Sequence, residues 1–347
     1  MEKTLRIEYI DAMRGFTMFL VVLGHCAFFC MGDVGRENIY LDVFQSFRMP
    51  LFFFVSGLVF YKENRIWRGE EIKVFFTKKL LVQIISPLLF FLIFVYLNKI
   101  DLLSALFDPL KSGYWFTFTL FEYFCLFVVI ELFVSFIKCS DLTRTLILLV
   151  TSIILSLITH NRIISILPCN DCLQLLGFSQ MSFFIYFVLG TLVRKQFNNF
   201  QLLLDKTVMI TICVVVFLSL IIFEEYTRYV GVKYIVSILK AISGIVIVFA
   251  IFRKYAHIFS TNTAIGRILQ FTGRRTLDIY LLHYFFLPKG LSLMFSSWNG
   301  CNDPLFVVLT AMILAIIVVC ISLLTSSVIR LSPDLASFLF GHKNTLR

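Results

Sequence analysis

Arg14 and His25 stand eleven residues apart in one apolar run, Tyr9-Ile-Asp-Ala-Met-Arg-Gly-Phe-Thr-Met-Phe-Leu-Val-Val-Leu-Gly-His25. At roughly 100° per residue, eleven steps return a helix to within about 20° of its starting face while rising about 16 Å. The two side chains therefore share one stripe at two depths, half a bilayer core apart. Ionisable groups in lipid are costly enough to mark function by default. A histidine titrating near neutrality can take a proton from a hydroxyl as that hydroxyl attacks an acyl carbon. An arginine nearer one surface can hold an anionic or thioester group arriving from that side. Asp11 lies one turn before Arg14, where an i, i+3 ion pair at the start of the helix accounts for it equally well. For His25 the plain alternative is a neutral imidazole hydrogen-bonded to a neighbouring helix.

The elements that must hold this stripe follow from composition. The chain has 347 residues, 59% hydrophobic and 15% charged, with 41 Phe and a mean hydropathy of +0.90. That excludes a soluble globular domain and predicts an all-α polytopic membrane protein. Apolar runs of spanning length fall at about 10–31, 40–61, 80–97, 114–137, 142–160, 175–194, 207–223, 232–252, 276–295 and 304–329, about ten transmembrane helices. The segments between them are short, so residues 1–347 are expected to form a single membrane-embedded domain with no separate soluble one. The opening Met-Glu-Lys-Thr-Leu-Arg-Ile-Glu lacks a cationic stretch before a short cleavable segment, and the first run is expected to remain as a span. With the N-terminus inside, Lys and Arg favour the inner segments by about three to one, which puts both termini in the cytoplasm. The same asymmetry accounts for the net charge of +10 without a nucleic-acid partner. Of nine cysteines, most sit singly within spans as small core residues. Cys169 and Cys172 share a loop, where a local disulfide requires an oxidising compartment. No metal-ligand pattern is present.

Further polar groups fall where lipid should be: Arg48, Glu122, Glu131, Lys240, Asp278 and His283. Glu131 and Lys240 suit helix-pinning pairs or snorkelling. The second run reads Phe47-Arg-Met-Pro-Leu-Phe-Phe-Phe-Val-Ser-Gly57. Pro50 interrupts its helix, and Ser56 with Gly57 permits close packing or a kink. Arg48, a charge beside a Phe run, needs a partner. The third run opens with Lys78-Lys79, and the ninth with Gly273-Arg-Arg-Thr-Leu-Asp-Ile-Tyr-Leu-Leu-His283. Lys78, Lys79, Arg274 and Arg275 serve either as orientation signals or as a clamp on the phosphates of a nucleotide-bearing donor. Thr276, Tyr280 and His283 fall at i, i+4 and i+7, one polar face of the ninth helix.

Together these segments resemble the acyltransferase-3 family of integral-membrane acyltransferases. Arg14 and His25 match its R-x10-H signature with the preceding Asp11, and Phe47 to Gly57 matches its MPLFFFxSG stretch. Trp115-Phe-Thr-Phe-Thr-Leu-Phe looks like its WFLxxLF element, and Gly273 to His283 like its GxxSLxIYLLH element; the four occur in family order. The resemblance implies a bacterial inner-membrane enzyme that moves an acyl group, usually acetyl, from acyl-coenzyme A onto a carbohydrate hydroxyl. The implied acceptors are surface glycans such as lipopolysaccharide O-antigen, capsule, exopolysaccharide or peptidoglycan, or their lipid-linked precursors. Acetyl-coenzyme A is then a co-substrate, and no permanently bound cofactor is implied. His25 becomes the base, and Arg14 its partner in donor binding. The phosphates are expected near Lys78, Lys79, Arg274 and Arg275, with Arg48, Ser56, Trp115, Glu122, Tyr280 and His283 lining the cavity. The chain departs from the family where Arg48 stands at a position often held by histidine. It departs again where Lys78-Lys79 and Gln83 replace an arginine-rich stretch, and the C-terminal periplasmic hydrolase-like domain of some relatives is not expected here. Two readings from other classes stand beside this one. One is a glycan or lipid transporter or flippase whose path is lined by His25 and the buried charges; the other is a scaffold in which the stripe only pins helices.

Overall fold

The computed structural model describes residues 7–63, 65, 67–137, 139–160, 174–175, 178–227, 229–288, 290–291 and 303–341, and every regular element among them is helical. In chain order these are α1 (Glu8–His25), α2 (Asp33–Arg36), α3 (Ile39–Phe60), α4 (Gly69–Leu80), α5 (Ser86–Leu97), α6 (Leu102–Phe107), α7 (Trp115–Ile137) and α8 (Asp141–His160). They continue with α9 (Phe184–Lys195), α10 (Phe197–Leu204), α11 (Thr207–Tyr226), α12 (Val230–Lys254), α13 (Ala264–Arg274), α14 (Thr276–Phe286), α15 (Pro304–Ile329) and α16 (Pro333–Phe340). Wider π turns extend α1 through Cys26–Cys30 and join α4 to α5 through Leu81–Ile85.

Among the described residues eight helices are long and apolar enough to cross a membrane: Glu8–Cys30, Ile39–Phe60, Gly69–Leu97, Trp115–Ile137, Asp141–His160, Thr207–Glu224, Val230–Lys254 and Pro304–Ile329. The chain is an all-α polytopic membrane protein. Each of these matches one apolar run. The remaining two runs hold shorter helices. Residues 175–194 contribute a 3-10 turn, Phe178–Phe183, before α9, and residues 276–295 contribute α14. At 1.5 Å per residue α9 and α14 rise only about 16–18 Å.

Two boundaries differ from the hydropathy reading. The third span begins at Gly69 rather than near 80, because α4 is helical in spite of its charge. Glu70 and Glu71 sit in its first turn and Lys78 and Lys79 in its last, the distribution that a helix dipole favours. Residues 264–274, read as part of an inner connecting segment, form α13. Thr263 caps this helix by accepting from the Gly266 amide at 2.9 Å. Small or polar residues make up its buried face (Gly266, Gln270, Thr272, Gly273), while Ile265, Ile268 and Phe271 point outward. Small residues on the buried face allow close approach of a neighbouring helix. Cys169 and Cys172 lie outside the described residues.

The chain divides into two compact units, one built from residues 1–55 and 196–326, the other from 56–195 and 327–347. The first is centred on α1, whose Ala12, Met13, Met18 and Val22 are fully buried, and on Phe249, which meets Tyr9, Phe54 and Phe200 at ring separations of 5.9, 6.2 and 5.2 Å. In the second, Phe60 gathers Phe124, Phe127 and Phe187 within 4.9 to 5.4 Å. There Gly57 packs so tightly on α9 that a Cβ would lie 2.0 Å from the Phe187 carbonyl oxygen. Offset and edge-to-face ring pairs of this kind add about 0.5–1.5 kcal/mol each beyond area burial.

Candidate active site

The first unit holds the Arg14–His25 stripe, and the register that decides what it faces is set by two glycines. A Cβ on Gly15 would stand 2.0 Å from the Leu269 carbonyl oxygen, and one on Gly273 would stand 1.9 Å from that of Asp11. Backbone thus touches backbone where α1 crosses α13, as small residues in membrane helices allow. From this crossing the two segments run in the same direction. Glu8 accepts from the Thr261 amide at 3.0 Å, Arg14 meets Thr276, and His25 meets His283. Both ends of the stripe therefore face α14.

At the first end the Arg14 Nη2 donates to Thr276 Oγ1 at 3.2 Å, and Nη1 lies 3.6 Å from Asp11 Oδ1. Asp11 is 6% exposed and the Arg14 side chain 32%, so the carboxylate holds a cation that still reaches open space.

At the second end His283, fully buried, lies with its Nδ1 2.9 Å from the Ile279 carbonyl oxygen one turn earlier. A carbonyl can only accept, so a neutral His283 carries its proton on Nδ1 and presents a lone pair at Nε2. That nitrogen is 2.9 Å from Nδ1 of His25, with the two rings 7° from parallel. The lone pair fixes the His25 proton on Nδ1 and leaves His25 Nε2 as the basic nitrogen. The Tyr284 hydroxyl donates to that Nε2 at 3.2 Å. His25 is half-buried, whereas His283 is sealed. One imidazole is thus accessible and the other orients it. The π turn Cys26–Cys30, a feature that recurs at functional sites, begins at the next residue.

Arg48 reaches this end from α3. Its Nη1 lies where a side chain on Gly24 would be, 1.1 Å from an ideal Cβ. That nitrogen is buried and makes no hydrogen bond among the described residues. Arg275 points the other way. Its Nη1 donates to Ser326 Oγ at 3.1 Å, its guanidinium lies 4.6 Å from the Phe271 ring centre, and Ser326 in turn donates to Asp278 Oδ2 at 2.5 Å. Asp278 is therefore held by α15. Arg274 is exposed, and Tyr280 is buried with its ring 6.2 Å from His283.

The remaining sequence-predicted residues belong to the second unit. Ser56 is half-buried beside the Gly57 contact, and Lys78 is exposed. Lys79 sits 4.6 Å from the Phe124 ring centre and 5.7 Å from that of Phe75. Trp115 stacks on Phe183 at 5.9 Å, and Glu122 has a buried Oε2 with no hydrogen bond among the described residues. Lys111 donates to the carbonyls of Leu106 and Gln174 at 3.0 and 3.2 Å. Burial holds its ammonium below the usual lysine value, opposed by the charge of Glu122. Elsewhere Glu131 lies 3.7 Å from Arg144, and Lys240 pairs with Glu224, the pinning role read for both from sequence.

Three residues that matter here escaped the sequence reading. Tyr284 follows His283 and falls at i+8 on the Thr276 face, so the face itself was the available signal. Gly24 precedes His25 and reads as an ordinary small residue in an apolar run. Ser326 carries no sequence signal that separates it from other serines of α15.

Residues 7–326 match the family defined by an acyltransferase domain, that of the acyltransferase-3 enzymes. No curated protein and no solved structure matches the chain. With the match running through all four motif segments, the chain belongs to the acyltransferase-3 family of membrane acyltransferases.

Proposed function

We propose that this enzyme transfers a short acyl group, acetyl in the simplest case, from cytoplasmic acyl-coenzyme A to a hydroxyl of a surface glycan or its lipid-linked precursor in the bacterial inner membrane. The observation that carries the reading is the chain Ile279 carbonyl–His283–His25, which leaves Nε2 of the half-buried His25 unprotonated and facing the Tyr284 hydroxyl. The Tyr284 hydroxyl occupies the position an acceptor hydroxyl would take.

In the reaction His25 Nε2 accepts the acceptor's proton while its oxygen attacks the thioester carbonyl carbon. The imidazolium so formed donates through Nδ1 to His283 Nε2, which is already placed to accept. As the tetrahedral intermediate collapses, the C–S bond breaks, and the departing sulfur takes the proton back from Nε2. The products are an ester and the free thiol of coenzyme A. Arg14, steadied by Asp11 and Thr276, holds the donor on the cytoplasmic side of this centre. Arg274, exposed in the same unit, is the candidate phosphate contact. Arg275 enters through the helix packing it shares with Ser326.

Mass spectrometry of surface glycans tests this in a deletion strain carrying either the wild-type chain or His25→Ala. An acyl ester present with wild type and lost with His25→Ala, at equal membrane abundance of the two proteins, is the expected result. Identical ester patterns in all strains would overturn it.

A further inference from the structure

We propose that Arg48 binds a carboxylate that the substrate brings to the His25 centre, so that the enzyme selects an acidic substrate: a dicarboxylic acyl group of the succinyl class, or an acidic sugar acceptor. The inference rests on the acyl-transfer reading above and names its substrate class.

Arg48 lies nine residues into α3, so its Cα is about 14 Å from the nearer end of that helix. Its side chain turns onto Gly24, beside His25, instead of running along the helix to a surface, and its Nη1 is shut off from solvent. No ion pair or hydrogen bond of this guanidinium occurs among the described residues. Asp42, on the same helix, accepts from Gln45 at 3.3 Å, and four further carboxylates of the unit are engaged elsewhere. Asp11 holds Arg14, Asp278 accepts from Ser326, Glu224 pairs with Lys240, and Asp205 takes both ends of Arg253 at 2.7 and 3.0 Å.

A guanidinium nitrogen sealed from water without a partner is costly, and a fold bears that cost where a ligand completes the pair. A guanidinium is a planar fork of donors whose matching partner is a carboxylate held by two parallel hydrogen bonds. A transient oxyanion at the reacting carbon would leave the arginine unpaired through the rest of the cycle. A substrate carboxylate neutralises it from binding onward. The absence of a Cβ at Gly24 makes the room for the guanidinium, and the acyl carbon must come to the next residue along α1. A carboxylate at the far end of a short dicarboxylic acyl chain, or on a uronic acid presenting its hydroxyl to His25, meets that geometry.

The experiment measures binding to the full chain purified in lipid nanodiscs. One arm compares coenzyme A, acetyl-coenzyme A and succinyl-coenzyme A; the other compares glucuronate with glucose in the presence of coenzyme A. Expected is a preference of about tenfold or more for the acidic member of one arm, since a hydrogen bond to a charged group is worth about 1.5–3 kcal/mol. That preference should vanish in Arg48→Gln and weaken in both Arg48→Lys, which keeps the charge without the fork, and Gly24→Ala, which displaces the fork without removing it. The arm that shows the preference identifies the source of the carboxylate. Equal affinities in both arms, or a preference that survives every one of these variants, overturns the proposal while leaving acyl transfer standing. Failure of all three coenzyme A compounds to bind would instead overturn the acyl-transfer reading itself. If Arg48→Gln does not fold, the wild-type comparison and the Gly24→Ala and Arg48→Lys proteins decide.

Discussion

At the scale of residues, the centre depends on one histidine tuning another. His25 has the exposure a base needs, but a lone imidazole has two tautomers and can turn its proton toward the substrate as readily as its lone pair. His283 removes that freedom, because the Ile279 carbonyl commits its own proton. His283→Ala should therefore lower turnover by roughly 10² with coenzyme A affinity unchanged, the split expected when a base loses its orientation while the binding surface stays intact. Turnover in membranes, read as release of the coenzyme A thiol, checks it, and a variant that raised KM alone would contradict the orienting role. At the other end of the stripe, Arg14→Lys keeps the charge but loses the fork that touches Thr276 and Asp11 together. It should bind acyl-coenzyme A at least several-fold more weakly by titration calorimetry, the size of one charge-assisted hydrogen bond. The residue types were legible in the sequence because lipid makes each polar group expensive and hence conspicuous. Their partners were not, since His25 and His283 are 258 positions apart.

At the scale of elements, the α1–α13 crossing carries the site. The contacts at Gly15 and Gly273 are with backbone, which has no far end that can swing aside. Gly15→Leu should cost at least the roughly 1–3 kcal/mol of an overpacked core and pull His25 out of register with His283. Thermal unfolding of the detergent-solubilised chain measures the first effect, and loss of acyl transfer by the refolded or residual native fraction measures the second. Gly69→Ala is the control, because nothing lies within 4 Å of an added Cβ there, and it should leave both unchanged. Hydropathy recovered the long helices because spans are defined by apolar length. It missed the start of α4, whose charges sit where the helix dipole wants them, and it missed α13. The outward face of α13 carries Ile265, Ile268 and Phe271 while Gly and Gln turn inward, so an apolar count over its arginines reads as a connecting segment.

At the scale of the whole molecule, the excess of Lys and Arg on alternate connections of the ten apolar runs, with those of α9 and α14 counted as crossings, predicts both termini in the cytoplasm. A fluorescent protein fused to the C-terminus should then fluoresce, and alkaline phosphatase at the same point should stay inactive; the opposite pair of results would reverse the donor and acceptor sides proposed here. What the sequence by itself determined is the class of the fold, the family and which polar side chains fall within apolar runs, because composition, apolar length and the cost of a charge in lipid are properties of the chain alone. Only the tertiary structure decided which nitrogen of His25 is basic, that Ser326 claims Arg275, and that Arg48 comes to rest on Gly24 with its Nη1 unbonded among the described residues. Those outcomes turn on the rotation and register of helices distant in sequence, and these are fixed by backbone contacts between small residues that no local pattern encodes.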